Sequence, residues 1–147
     1  MYRKILVPLD GSDLAEAVLP HVEMLAQTNG SEVILLRVAV NPAYQFAMSD
    51  PSIVGVLVSD MEAESEKYLK RMTEQLKSHG IAVTSEIAEG GTADCILKIA
   101  EQKGADLIAM STHGRSGVAR WLIGSMADRV VRTAKVPVLL VRPAQQN

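Results

Sequence analysis

An α/β fold, a three-layer sandwich with helices on both faces of a five-stranded parallel sheet, is the architecture this sequence predicts. Three observations carry the prediction. Four strand-like runs (Ile5–Leu9, Glu32–Val40, Asp106–Ser111 and Val136–Val141) are apolar almost throughout, as strands buried on both faces must be. Stretches with apolar residues at helical spacing separate the strands, giving the order β-α-β-α-β-α-β-α-β. No internal repeat or low-complexity linker interrupts the pattern, so one domain over residues 1–147 is expected, built by right-handed crossovers.

The elements follow in order. Ile5–Leu9 is the first strand, with Pro8 near its end because proline cannot donate to a ladder. Asp10-Gly11-Ser12 is a turn; Asp13 and Glu16 have capping-box spacing, and Ser12 is an equal candidate for the cap. Leu14, Val18, Val22 and Leu25 form the apolar face of a helix that Pro20 interrupts and Gly30 ends. After the second strand, Asn41 to about Gly55 holds Pro42 and Pro51 and has no period, which reads as an irregular connection. Ser59 with Glu62 offers a capping box for a helix buried along Met61, Tyr68, Met72 and Leu76 and ending at His79-Gly80. Ile81, Val83, Ser85 and Ile87 alternate with Ala82, Thr84 and Glu86, the period of a strand with one wetter side. Gly90-Gly91 turns the chain, Thr92 caps a helix carrying Ile96, Ile99 and Ala100, and Gly104 stops it. The fourth strand ends at Ser111. A glycine-bearing loop then leads to Gly124-Ser125, which opens a helix with Ala127, Val130, Val131 and Ala134 before the last strand.

Composition narrows the functions. Hydrophobic residues make up 48% and charged residues 22% of the 147 residues, an ordinary globular mixture large enough to bury about 68–70% of its unfolded surface. A net charge of −2 and an aromatic content of 3% disfavour nucleic acid and anionic membrane as partners. No apolar run approaches the ~18 residues of a membrane span, and Met1-Tyr-Arg-Lys4 runs straight into a strand without the features of a secretion signal. A cytoplasmic protein is expected. Cys95 is the one cysteine, which excludes an intrachain disulfide and a cysteine-based metal cluster.

The loop from Gly114 to Ser125 is where chemistry is expected. Glycines that leave a strand and close on a helix start expose several N–H groups at one spot, and the positive end of the helix dipole adds to them. The loop has neither the G-x-x-x-x-G-K-[ST] pattern nor, after the first strand, G-x-G-x-x-G. It does have Gly114 and Gly117, Ser125 as a cap and phosphate contact, and Arg115 and Arg120 to neutralise charge. The same glycines could serve only to turn the chain. Asp10 is open between two readings: a group that accepts from ribose hydroxyls or holds a divalent cation, or a turn residue that bonds its own backbone. Ligands of parallel sheets bind at the carboxyl ends of the strands, where strand order reverses. If the first and fourth strands are neighbours, Asp10 and Ser111–Gly114 flank that point.

His113 is a general base by type, but spacing sets no Ser, Cys or carboxylate beside it; His21 and His79 read as structural or solvated. Cys95 reads as a small apolar residue, Met24, Met61, Met72 and Met110 as core, and Trp121 as an anchor for the loop. No paired carboxylates, metal cluster or nucleophile–base pair is present, so the sequence does not argue for catalysis.

Three passages together resemble the universal stress protein (UspA-like) family over essentially the whole chain: Ile5-Leu-Val-Pro-Leu-Asp-Gly-Ser12, Ser111-Thr-His-Gly-Arg-Ser-Gly117, and Gly124-Ser125 with Pro137-Val-Leu-Leu-Val141. The ATP-binding subgroup carries G-x2-G-x9-G-[ST]. Here Gly114 takes the second glycine position, Gly124 the third with Ser125 after it, and Ser111 stands at the first, where its side chain would crowd a sugar. The resemblance implies a Rossmann-like sheet (adenine nucleotide alpha hydrolase-like) in the order 3-2-1-4-5. It also implies a stress-response or signalling role as a homodimer joined through Val136–Val141, an apolar edge that needs a partner. ATP, with Mg or Mn as candidate companions, is the implied cofactor, hydrolysed slowly if at all. Pro8, Leu9 and the Val38 backbone would frame the adenine. Asp10 would meet the ribose or a phosphate-bound metal, and the Ser111 carbonyl would serve the ribose. Gly114, Gly117, Gly124 and Ser125 would hold the phosphates, and His113 and Arg115 are further candidates for the cofactor site. The alternative within the family is a homodimeric interaction protein that binds no ATP or another adenine nucleotide.

Overall fold

The apolar run of residues 4–9 forms the middle of a sheet because its side chains have cover on both sides. The structure, a computed structural model, describes residues 1–39, 50–112 and 123–144. In it, β1 (Lys4–Leu9), β2 (Glu32–Ala39), β3 (Ala82–Glu89), β4 (Leu107–Ser111) and β5 (Val138–Val141) pair in parallel in the order β3-β2-β1-β4-β5. This is the order that the resemblance implies.

Alternation along the central strands feeds two cores. Ile5, Val7, Leu9, Val33, Leu35, Leu107 and Ala109 face one side, where they meet Val18, Val22, Tyr68, Leu69, Met72 and Leu76. Leu6, Ile34, Leu36, Ile108 and Met110 face the other, against Ile96, Ile99, Ala127 and Val130. Most of these strand side chains are fully enclosed, and each such burial contributes about 1.5–3 kcal/mol. The expected three layers follow.

The first crossover contains two helices. Ser12 caps α1 (Asp13–Glu16) by accepting from Ala15 N, which settles the cap in favour of Ser12. Then α2 (Leu19–Asn29) starts with Pro20 in its first turn and ends at Gly30, left-handed at φ 66°. Pro20 therefore divides the helical segment where its missing N–H does no harm. Ser31 and β2 follow.

The next helix corrects the sequence expectation. It is α3 (Pro51–Ser78), and its cap is Asp50, whose side chain accepts from Ser52 N. Ser59 and Glu62 lie well inside it. A proline at a helix start is favourable, so Pro51 opens a helix rather than extending an irregular connection. The buried stripe begins only at Ser65; none of residues 51–64 is buried. Met61 is therefore exposed, as is Met24 on α2, whereas Met72 and Met110 are core as expected.

Two further caps differ from expectation. Gly91, not Thr92, is the cap of α4 (Thr92–Lys103), and Gly124, not Ser125, is the cap of α5 (Ser125–Thr133); neither helix has a side-chain cap bond. Gly104 ends α4 at φ 65°. Val131 of α5 is exposed. Val40, His113, Gly114, Arg115, Gly117, Arg120 and Trp121 lie outside the described residues.

Candidate functional site

Strand order reverses at β1, and the β1–β4 ladder is short. It pairs Ile5 with Leu107 and Leu6 with Ile108, whereas the β1–β2 ladder continues to Leu9–Arg37. Pro8 supplies a reason. Lys4 O accepts from Asp106 N on the β4 side, while Arg3 O accepts from Glu32 N on the β2 side. Even-numbered residues of β1 thus point their backbone groups at β4, and at Pro8 the N–H that would continue that ladder is missing. Beyond Leu6 no ladder pair joins the two strands among the described residues, and the end of β1 and the end of β4 are neighbours at the point where strand order reverses. The site sits where parallel sheets bind ligands.

One wall is the Asp10 turn. Gly11 has φ 85°, a conformation that favours glycine, and it folds Ser12 back onto Asp10. Asp10 Oδ1 accepts from Ser12 N at 2.9 Å and from Ser12 Oγ at 2.5 Å, and Ser12 Oγ in turn accepts from Ala15 N at 3.1 Å. Asp10 thus does what a turn residue does. It also places a carboxylate at the rim, so its two sequence readings are not exclusive.

The opposite wall is the end of β4. Ser111 lies on the same sheet face as Leu107 and Ala109, and its Oγ donates to Ala15 O at 3.2 Å in a buried contact. Its hydroxyl is therefore directed at α1. Thr112 N donates to Val141 O at 2.9 Å, and Thr112 Oγ1 is buried with no hydrogen-bond partner among the described residues. Nothing in the spacing of the sequence singled out Ala15 or Thr112.

Gly124 closes the site from below α5. Its φ of −56° is open to any residue, so space explains the glycine: a Cβ there would stand 3.3 Å from Thr112 O. Gly124 N reaches the same carbonyl at 3.4 Å. This contact ties the start of α5, with its exposed Ser125, to the end of β4. A helix start attracts anions.

The remaining candidates are placed unevenly. Pro8 is buried in the sheet opposite Leu36. The side chain of Leu9 belongs to the core, leaving only its backbone for a ligand. Val38 pairs with Ala88 at the end of β2 and packs partly against the second core. Among the described residues no group of three or more His, Cys, Asp or Glu can hold a metal ion, so any cation here would rest on Asp10 together with ligand oxygens and water.

A polar cluster lies behind Asp10. Tyr68 of α3 donates to Glu16 Oε1 at 2.9 Å, and Arg37, buried at an inward position of β2, pairs with Glu64 at 3.3 Å. The Arg37 guanidinium lies 5.4 Å from the Tyr68 ring centroid and that of Arg71 lies 5.5 Å from it, both in cation–π range. Burial first, and then the Glu16 bond, push the Tyr68 phenol well above its ordinary value; the charge of Asp10 adds to the shift. The signal in the sequence was an arginine at an inward-facing position of an otherwise apolar strand.

The sequence model of the universal stress protein family matches residues 1–142. Universal stress protein MJ0531 of Methanocaldococcus jannaschii is 35% identical over 149 aligned positions, covering 100% of this chain and 86% of the relative. Universal stress protein MJ0577 of the same organism is 30% identical, covering 97% of this chain and 96% of its own. The solved structure of MJ0577 superposes with a TM-score of 0.89 over 99% of each chain at 31% identity. That of UspA from Lactobacillus plantarum gives 0.83 at 25% identity, over 96% of this chain and 98% of the other. No described helix is long and apolar enough to cross a membrane.

Proposed function

Because this chain belongs to the universal stress protein family, we propose that it binds ATP in the crevice between β1 and β4 and serves a stress response as a homodimer. One observation carries the reading. The β1–β4 ladder stops at Leu6–Ile108 where strand order reverses; the Asp10 turn follows β1, and Gly124 at the amino end of α5 bonds Thr112 O just after β4. The two sides differ in charge in the sense a nucleotide needs. A carboxylate suits sugar hydroxyls, and helix N–H groups suit phosphates.

In this reading Pro8, the Leu9 backbone and the Val38 backbone border the base. Asp10 accepts from the ribose or holds Mg or Mn beside the phosphates. The Ser111 carbonyl supplies a further sugar contact. The phosphates lie on Gly124 and Ser125, near Thr112, with His113, Gly114, Arg115 and Gly117 completing the set. In this reading hydrolysis, where it occurs, is slow. The dimer forms through β5, an edge strand whose Val138, Leu139 and Leu140 are only partly buried. Pairing would satisfy its free backbone groups.

The test is to denature the purified protein, chromatograph the nucleotide released, and titrate the stripped protein with Mg-ATP, AMP and cAMP in turn. ATP near one per chain supports the reading. Asp10→Asn keeps an acceptor for Ser12 but removes the charge, and should weaken ATP by at least about tenfold, as expected for a hydrogen bond to a charged group. Release and binding of AMP or cAMP instead would replace ATP as the ligand. A dimer with no nucleotide bound under any condition would leave an interaction protein.

A further inference from the structure

We infer that Ser111 is a positioning residue: its hydroxyl holds α1, and through α1 the Asp10 turn, at a set distance from the end of β4. The consequence for binding rests on the proposed nucleotide site; the mechanical link does not.

The link runs through a single peptide-bearing residue. Ala15 N donates to Ser12 Oγ at 3.1 Å, and the Ser12 hydroxyl donates to Asp10 Oδ1 at 2.5 Å. Ala15 O accepts from Ser111 Oγ at 3.2 Å, ninety-six positions away in the chain. Ala15 thus carries Asp10 on its amide side and β4 on its carbonyl side. Both Ala15 and Ser111 are 7% exposed, so water does not compete well for either group. The carbonyl also belongs to a helix of four residues, which cannot satisfy its own last carbonyls internally. Without Ser111 it would be left buried and, among the described residues, unpaired.

The place of this bond gives it its effect. Sheet hydrogen bonds join β1 to β4 only as far as Leu6 and Ile108. Past that point no sheet pair joins them among the described residues, and the Ser111–Ala15 contact links the end of β4 to α1, which follows the Asp10 turn. A glycine at 111, as the motif G-x2-G-x9-G-[ST] would have it, has no hydroxyl to do so. The serine therefore replaces a small residue with a strut, and restoring the motif should harm the site rather than repair it.

Ser111→Ala and Ser111→Gly test this in the full chain, with two readouts. In the nucleotide-free protein, amides of residues 12–17 should exchange with solvent about tenfold faster in both variants, because local opening no longer breaks the strut. In titrations with Mg-ATP, affinity should fall roughly five- to tenfold in both, and by less than about twofold when Ser111→Ala is made in an Asp10→Ala background, where there is nothing left to position. Three results would overturn the inference: unchanged exchange over residues 12–17, tighter ATP binding by Ser111→Gly than by the native chain, or an undiminished Ser111→Ala effect without Asp10. If the native chain binds no ATP, the nucleotide reading fails, and the exchange measurement still decides whether Ser111 holds α1.

Discussion

Replacing Tyr68 by Phe removes one oxygen and leaves the ring in place against Arg37 and Arg71. That oxygen donates to Glu16 Oε1 at 2.9 Å and joins the middle of α3 to the end of α1. A hydrogen bond to a charged group contributes about 1.5–3 kcal/mol. Glu16 is only partly buried and recovers some hydration when the bond is lost, so a destabilisation of about 1–2 kcal/mol is expected at neutral pH. For a chain of this length that lowers Tm by roughly 2–8 °C. The difference should also depend on pH in a defined direction. Burial, then the Glu16 bond, raise the native phenol above its ordinary value. A group whose folded pKa is raised contributes stability in full below its unfolded pKa, about 10 for tyrosine. It loses that contribution as pH rises further, because only the unfolded chain releases the proton. Urea melts followed by circular dichroism should give a constant gap between native and Tyr68→Phe chains from pH 7 to 9, and a gap that shrinks by about 1.4 kcal/mol near pH 11. A gap below about 0.5 kcal/mol at neutral pH, or one that persists unchanged at pH 11, would refute the account of this bond.

Other outcomes follow from single contacts. Burial pushes the Asp106 carboxyl up, but the N–H groups of Arg3 and Lys4 outweigh it and hold the carboxyl below the usual carboxylate range. Its contribution is therefore present above the unfolded value of about 3.9 and lost as pH falls through the folded one; acid titration should show Asp106→Asn less stable at pH 7 and the gap closing below pH 4. Leu36→Ala empties a fully enclosed site in the second core and should cost about 2–5 kcal/mol in a denaturant melt. Gly30→Ala meets no atom within 4 Å but stands at φ +66°, so its cost should be the backbone term alone, about 1–2 kcal/mol; a larger loss would mean that space matters there after all.

Much of this molecule was legible in local patterns. Apolar runs marked the strands, Gly30 and Gly104 stopped helices where their left-handed φ is needed, and Pro20 divided the first helical segment. Where the sequence reading missed, several local signals competed. Pro51 resembles a helix breaker until Asp50 is seen to cap it, and Ser59–Glu62 has capping-box spacing inside a helix that has already begun. Met24 and Met61 fit an apolar stripe, but exposure depends on what lies opposite, which a periodicity does not contain.

By itself the sequence determined the alternation of strands and helices and the strand–loop–helix segment that points to an anion, because these depend on neighbours a few residues apart. Only the tertiary structure decided what the two ends of the crevice do. Alternation puts Ser111 on one face with Leu107 and Ala109, but not which helix covers that face. The fold brings Ala15 there, and the Ser111 hydroxyl points into α1. Pro8 shows the same division. Its missing N–H is read from one letter, yet it opens a site only because strand order places β4 on the side where that N–H would have been.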